Sequence, residues 1–166
     1  GDSTCCQGFC SPEAYIAAGG TREAVDQARL AVQQTAGLVL IYGGKLIDAT
    51  YFACSGGYTE PAVAVWGTDV PYLQAVPSPG EENAAHYTDT VILAPWEFAD
   101  ALGRELTGNP AGWFGPVTYT QGGGVAYITV GGVRYSGKEL RTLLDLRSTA
   151  FTVTATEDQI QIVTKG

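Results

Sequence analysis

Residues 51–73 concentrate side chains and backbone positions that suit a polar, uncharged ligand such as a glycan. Hydroxyl groups donate and accept hydrogen bonds, and aromatic rings stack on the apolar face of a sugar. A Gly-Gly pair lets the backbone take positive φ and approach a ligand closely. The candidate binding positions are Tyr51, Ser55, Gly56, Gly57, Thr59, Trp66 and Tyr72.

Each of these positions also has a structural interpretation. The segment Ser55 to Thr59 could shape a tight turn, because Gly and Ser are common turn residues. Trp66 and Tyr72 could be core aromatics, and Tyr51 could hold a loop through hydrogen bonds. The sequence alone leaves both interpretations open.

Glu60 follows the motif directly and is the in-chain candidate for a proton donor. A carboxyl group that protonates a glycosidic oxygen needs a pKa raised toward neutrality, which burial supplies. A carboxylate beside a turn is more commonly a cap or half of a surface ion pair, and we favour that interpretation of Glu60. Asp145 and Arg147 are interpreted in the same way, and His86 as a surface histidine.

The composition excludes several classes of partner. A net charge of -8 with nine Lys and Arg gives no electrostatic attraction to nucleic acid or to anionic membranes. No apolar run approaches the length of about 18 residues that a membrane helix needs. The length of 166 residues suits one domain with a core, or one domain plus a small insertion.

The four cysteines leave two possibilities open. Cys5, Cys6 and Cys10 crowd one terminal loop, whereas Cys54 stands in the Gly-Gly motif. One or two disulfides would suit a secreted protein, and a metal site would need three or four converging ligands. The spacing of the three terminal cysteines matches no strong zinc pattern.

Regular elements must position the motif. Thr21 is placed to cap a helix over 22–35, and 38–42 is predicted to form a buried strand that turns at Gly43-Gly44 into a hairpin ending at the motif. Residues 60–87 are rich in proline and are predicted to form an ordered surface loop. The motif therefore lies where a hairpin passes into a loop.

The second half of the chain has a different pattern of predicted helices and strands. Pro95 opens a helix, and Ser136 with Glu139 forms a capping box for a helix over 137–145 whose buried face is Leu140, Leu143 and Leu144. Strands are predicted at 88–93, 117–120, 125–130, 133–135, 151–156 and 160–162.

These elements predict an α+β fold with mixed sheets, hairpins and short helices. The change near residue 88, from a proline-rich loop to regular strands and helices, suggests a main domain that is interrupted by a smaller inserted α/β subdomain. The main domain comprises residues 1–87 and 147–166, and the insert comprises 88–146.

Several segments in order resemble the stage II sporulation protein D family. The segments that carry the resemblance are Cys6-Gln7, 36–49, Ser55-Gly-Gly-Tyr-Thr-Glu60, Val65-Trp-Gly67, Pro71-Tyr-Leu73 and 140–151. The resemblance implies a lytic transglycosylase that cuts peptidoglycan glycan strands already stripped of their stem peptides. It also implies a protein outside the cytoplasmic membrane of a bacterium, secreted or membrane-anchored at the cell wall.

In such an enzyme one carboxylic acid protonates the glycosidic oxygen, and its conjugate base then helps the muramic acid C6 hydroxyl attack C1. The product is a 1,6-anhydro end. No water attacks, so no second carboxylate is required, unlike the pair in most glycoside hydrolases. The resemblance places the catalytic glutamate before Gly1, and this chain is expected to be the central part of the intact protein.

The resemblance also implies a zinc ion near the glycan groove, bound by a histidine and two cysteines, the last of which is in the Cys-Gln pair. Cys6 would be one of the zinc ligands, with the other two matching positions before Gly1. Gln7 would orient sugar N-acetyl groups through its amide, or would hold the loop through backbone hydrogen bonds.

A second hypothesis belongs to a different functional class. Relatives of this family include amidase-enhancing proteins, so the chain could be a non-catalytic peptidoglycan-binding module. Its partners would then be glycan strands together with a cell-wall amidase or another wall hydrolase.

Overall fold

The computed structural model describes residues 10–166, and the predictions for Cys6 and Gln7 lie outside them. The chain divides after Ala49 into two compact units, and each is considered by itself. No helix in residues 10–166 has both the length and the apolar character that crossing a membrane requires.

The first unit contains two helices and a small hairpin. Helix α1 is Pro12–Ala17 and helix α2 is Arg22–Gln34, and the hairpin pairs β1 (Ile41–Tyr42) with β2 (Lys45–Leu46). The Thr21 hydroxyl accepts a hydrogen bond from the backbone N–H of the third residue after it, which confirms the predicted cap. Helix α1 was not predicted from the sequence.

The prediction of a buried strand over 38–42 is wrong. Leu38 and Ile41 are 72% and 65% exposed, and the strand itself is limited to two residues. An isolated two-stranded hairpin has no further strand to pair with, so its side chains stay in contact with solvent. The turn at Gly43-Gly44 is correct, because both glycines have positive φ.

The second unit is built from short helices and two antiparallel three-stranded sheets. Its elements are α3 (Ala62–Trp66), β3 (Thr88–Leu93), α4 (Pro95–Ala101), β4 (Phe114–Tyr119), β5 (Val125–Val130), β6 (Val133–Ser136), α5 (Gly137–Leu143), β7 (Phe151–Ala155) and β8 (Ile160–Lys165). One sheet has the order β3-β8-β7 and the other has the order β4-β5-β6. This combination of helices and antiparallel sheets confirms the α+β class.

The core of the second unit lies between these elements. Phe98, Ile160 and Ile162 are completely buried, and burying such a side chain contributes about 1.5–3 kcal/mol. The other members of the core are Leu102, Trp113, Val125, Ile128, Val130, Leu140, Leu144, Leu146 and Phe151.

Helix α5 confirms the capping box but corrects its buried face. The Ser136 backbone N–H donates to Glu139 Oε2 at 2.7 Å, and the Glu139 N–H donates to Ser136 Oγ at 3.2 Å. Leu140 and Leu144 are buried as predicted, whereas Leu143 is 42% exposed. A turn of about 3.6 residues places Leu143 and Leu144 on opposite flanks of Leu140, and only the Leu144 flank faces the core.

The division into a main domain and an insert over 88–146 stays a prediction. Strand β3, at the start of the proposed insert, pairs along its whole length with β8, from Thr88 opposite Lys165 to Leu93 opposite Ile160.

Candidate functional site

A cavity of about 440 Å³ lies in the second unit at the Gly-Gly motif, and we call it the motif cavity. Five of the predicted binding residues line it, namely Tyr51, Ser55, Thr59, Trp66 and Tyr72. The same wall includes Phe52, Tyr58 and Glu60. Residues that are separated in sequence by up to 21 positions therefore share one concave surface.

Another part of the lining comes from α5 and from the segment that follows it. Arg141, Arg147, Ser148 and Thr149 line the motif cavity together with the residues of the motif. Arg147 was predicted to be a cap or ion-pair residue, and Arg141 was not predicted to belong to the site. The Arg147 Nε lies 3.1 Å from Asp89 Oδ2, so this residue forms an ion pair as predicted and also lines the motif cavity.

Glu81 holds the turn at Ser55 to Gly57. Its Oε2 accepts hydrogen bonds from the Ser55 N–H at 3.0 Å, from Ser55 Oγ at 2.6 Å and from the Gly57 N–H at 3.1 Å. Its Oε1 accepts a bond of 2.9 Å from Ser78 Oγ. The Ser55 hydroxyl proton is therefore committed to Glu81, and toward a ligand this oxygen is an acceptor.

These bonds lower the pKa of Glu81 to about 2. The hydrogen bond from the Ser55 hydroxyl is the largest cause, burial opposes it, and the Ser78 hydroxyl and the N–H groups of Ser55 and Gly57 add to the lowering. Hydrogen bonds to the ionised form favour that form. Glu81 is thus a permanently charged anchor at neutral pH.

Gly56 and Gly57 have a structural reason to be glycine, because their φ angles are 78° and 105°. A Cβ on Gly56 would lie 3.0 Å from the Lys165 carbonyl oxygen, so the turn packs closely on the end of β8. The Tyr87 hydroxyl donates to the Gly56 carbonyl at 3.3 Å. Neither glycine lines the motif cavity, and their role as ligand contacts stays a prediction.

Thr59 connects the motif to residues 74–76 through hydrogen bonds. Its hydroxyl donates to the Gln74 carbonyl at 2.8 Å and accepts from the Val76 N–H at 3.0 Å. The Thr59 N–H in turn donates to the Val76 carbonyl at 3.0 Å. The Thr59 hydroxyl, which was predicted to contact a ligand, therefore fixes one wall of the cavity.

Aromatic rings also line the motif cavity. Tyr51 is 63% exposed and Trp66 is 57% exposed, and Phe52 and Tyr58 are exposed to a similar extent. Tyr72 is partly buried. Exposed rings beside hydroxyl groups in a concave surface suit the alternating apolar and polar faces of a sugar.

Glu60 lies in the wall between the motif cavity and a second cavity. Its Oε1 accepts a hydrogen bond from Thr120 Oγ1 at 2.6 Å and another from the Gly124 N–H at 2.8 Å. Its Oε2 is buried and has no hydrogen-bond partner among the described residues. A Cβ on Gly122 would lie 2.8 Å from Oε2, so the glycines of the β4-β5 turn enclose this carboxylate.

The second cavity has a volume of about 450 Å³ and adjoins the motif cavity. The two cavities share Glu60, Val65, Arg141 and Thr149 in their linings. Lys138 also lines the second cavity, and its amine donates to the Val65 carbonyl. The two cavities therefore form one continuous surface, and Glu60 lies where they meet.

The zinc prediction rests on Cys6, which lies outside the described residues. In the part of the chain that the structure describes, no three His, Cys, Asp or Glu side chains converge as metal ligands. Cys54 is partly buried, and its thiol lies 3.9 Å from Glu81 Oε2. Cys54 and Glu81 alone do not form a donor set that fits zinc.

No protein-family model matches the chain. A search of curated proteins finds stage II sporulation protein D of Bacillus subtilis (strain 168) at 36% identity over 137 residues, which is 82% of this chain and 39% of that protein. The protein of the same name from Bacillus amyloliquefaciens is 37% identical over the same shares. The amidase enhancer of Bacillus subtilis (strain 168) is 38% identical over 90 residues, which is 54% of this chain and 12% of that protein. The chain thus spans about two-fifths of the sporulation proteins that it matches.

Proposed function

Because the chain belongs to the stage II sporulation protein D family, we propose that it acts in remodelling the bacterial cell wall during sporulation and that residues 50–166 bind peptidoglycan glycan strands. The motif cavity is the observation that supports this proposal most directly. It joins exposed aromatic rings, hydroxyl groups and two arginines in one concave surface, as a polar polymer of sugars requires. The bacterial cell wall lies outside the cytoplasmic membrane, so the proposed location is extracytoplasmic, with the protein either secreted or membrane-anchored.

The proposed activity of the intact protein is lytic cleavage of glycan strands that have lost their stem peptides. In this mechanism Trp66 and Tyr51 stack against sugar rings, and the Ser55 oxygen accepts hydrogen bonds from sugar hydroxyls. The carboxylic acid that protonates the glycosidic oxygen and then activates the C6 hydroxyl is not assigned to a described residue. The described residues bind and orient the strand.

Glu60 is poorly placed to be that acid. One of its oxygens already accepts two hydrogen bonds, and the other is buried behind the β4-β5 turn. A proton donor must come within hydrogen-bond distance of the glycosidic oxygen. The geometry therefore supports the interpretation of Glu60 as a structural carboxylate of the cavity wall.

Binding to peptide-free glycan strands tests the first part of the proposal. We expect Trp66→Ala to weaken the affinity about tenfold, because a stacked ring contributes about 1–1.5 kcal/mol. Trp96→Ala is the matched control, since Trp96 is also exposed, at 70%, and lines a different cavity in the same unit. Equal loss in both variants, or no binding by the unsubstituted chain, would contradict the proposal.

Mass spectrometry of the incubated strands tests the cleavage. We expect 1,6-anhydro ends from the full-length protein and the same yield from its Glu60→Gln variant. Loss of these products in Glu60→Gln, with strand binding retained, would show that Glu60 is the acid.

The match to an amidase enhancer favours a second candidate function. In this version the chain binds glycan strands without cutting them and raises the activity of a cell-wall amidase. A full-length protein that binds strands, forms no anhydro ends and accelerates stem-peptide release by an added amidase would support this version over the first.

A further inference from the structure

Positive charge is concentrated at the two adjoining cavities. Residues 50–166 contain twelve acidic and six basic side chains, so the unit as a whole is acidic. The lining of the two cavities reverses this ratio, with Lys138, Arg141 and Arg147 against the single carboxylate Glu60. A concave surface with excess positive charge in an acidic protein attracts an anionic ligand locally.

Arg141 is the basic side chain best placed to meet that ligand. It lines both cavities, and its guanidinium has no hydrogen-bond or ion-pair partner among the described residues. Helix α5 fixes its backbone through the capping box at Ser136 and Glu139. An arginine held on a helix with five free donors is suited to a planar carboxylate.

Arg147 supports the same site from the segment after α5. Its Nε is used by Asp89 at 3.1 Å, which leaves the four N–H groups of its two terminal nitrogens for another acceptor. The ion pair with Asp89 fixes the orientation of the guanidinium plane. Two arginines from different segments therefore line the motif cavity.

Glu60 does not occupy the hydrogen-bond donors of Arg141 or Arg147. Its Oε1 accepts bonds from Thr120 and Gly124, and its Oε2 has no exposed surface. A ligand in the motif cavity thus meets exposed guanidinium groups and a carboxylate that is turned into the protein.

We propose that the motif cavity selects a saccharide that bears a free carboxylate, which Arg141 binds with help from Arg147. In peptidoglycan this group is the lactyl carboxylate of a muramoyl residue after its stem peptide has been removed. A stem peptide converts that carboxylate into a neutral amide, and the charge-assisted hydrogen bonds to Arg141 are then lost. This inference rests on the proposed function, because it names the group by which the glycan site recognises its substrate.

The test compares two forms of one ligand. Peptide-free glycan strands are used as prepared and after their lactyl carboxyl groups have been coupled to methylamine, which removes the charge but keeps the sugar chain. We expect the unsubstituted chain to bind the carboxylate form at least about tenfold more tightly than the amide form. Arg141→Gln should remove this difference, Arg141→Lys should restore part of it, and Arg147→Gln should reduce it.

The control variant is Arg29→Gln, which removes one exposed positive charge from the first unit and should keep the full difference. Equal affinity of the unsubstituted chain for both strand forms would overturn the inference and leave the proposed function standing. Failure to bind either form would overturn the proposed function and the inference together. A preference that persists undiminished in Arg141→Gln would show that this residue does not recognise the carboxylate.

Discussion

Two turns at the motif cavity are each organised by a glutamate, but the two carboxylates are satisfied to different degrees. Glu81 accepts hydrogen bonds on both oxygens, from Ser55, Gly57 and Ser78. Glu60 accepts on one oxygen, from Thr120 and Gly124, and its second oxygen is buried without a partner among the described residues. A buried acceptor without a partner costs about 1–3 kcal/mol.

The two glutamates therefore have different structural roles: Glu81 anchors a turn, whereas Glu60 mainly fills space. Glu81 brings the donors of the Ser55 turn together, so its charge is part of the reason that the turn has its shape. Glu60 mainly fills the space between the β4-β5 turn and the cavity wall, with one oxygen bonded and the other only packed. Removing charge should therefore be costly at Glu81 and cheap at Glu60.

The largest effect is expected for Glu81→Ala. The substitution leaves the donors of Ser55 and Gly57 without their acceptor, and we expect the free energy of unfolding to fall by about 2–3 kcal/mol. Glycan binding should weaken as well, because the turn forms part of the cavity wall. Chemical denaturation measures the first effect, and Glu82→Ala, at the exposed neighbouring residue, should change stability by about 0.5 kcal/mol or less. Similar losses in the two variants would contradict the anchoring role.

The pH dependence of stability tests the role of the Glu81 charge. The folded-state pKa of Glu81 is lowered to about 2, below its ordinary value of 4.5, so its contribution is full above that ordinary value and is lost as the pH falls toward 2. The difference in unfolding free energy between the unsubstituted chain and Glu81→Gln should be constant above about pH 5.5 and shrink below it. A difference that is unchanged between pH 6 and pH 2 would exclude this contribution.

An intermediate effect is expected where the chain encloses Glu60. A Cβ on Gly124 would lie 2.5 Å from Glu60 Oε1 and 2.8 Å from Thr149 Oγ1, so Gly124→Ala must displace both side chains. We expect a loss of about 1–3 kcal/mol in unfolding free energy. Gly112→Ala is the control, because its Cβ would meet no atom within 4 Å, and it should cost less.

The smallest effect is expected for Glu60→Gln. The amide oxygen can still accept the bonds from Thr120 and Gly124, whereas the amide nitrogen takes the place of an oxygen that already lacks a partner. We expect a stability change of about 1 kcal/mol or less, smaller than that of Glu81→Gln in the same denaturation experiment. A larger loss at Glu60 than at Glu81 would reverse the comparison between the two turns.

Local signals in the sequence predicted most of the regular elements. Thr21, Pro95 and the pair Ser136 with Glu139 each act within one helical turn, so their consequences do not depend on distant parts of the chain. The turn at Gly43-Gly44 was predictable for the same reason. The exposure of Leu38 to Ile41 was not, because a short apolar run looks the same whether or not other strands cover it.

The candidate site was only partly predictable. The motif itself was visible as a cluster of aromatic and hydroxyl residues, but Glu81 was missed because it lies in the proline-rich loop, 24 and 26 positions after its partners Gly57 and Ser55. Arg141 was missed because the residues opposite it, such as Trp66, precede it by more than 70 positions. Such long-range approaches follow from tertiary packing, which no local pattern of residues encodes.

The bond between the Lys138 amine and the Val65 carbonyl joins α5 to α3. Trp66 is the residue after Val65, and Arg141 lies one helical turn after Lys138. Trp66 and Arg141, which both line the motif cavity, are thus carried by two helices that this bond connects. Under the proposed function, this connection relates the position of the ring that stacks on a sugar to the position of the guanidinium that binds its carboxylate.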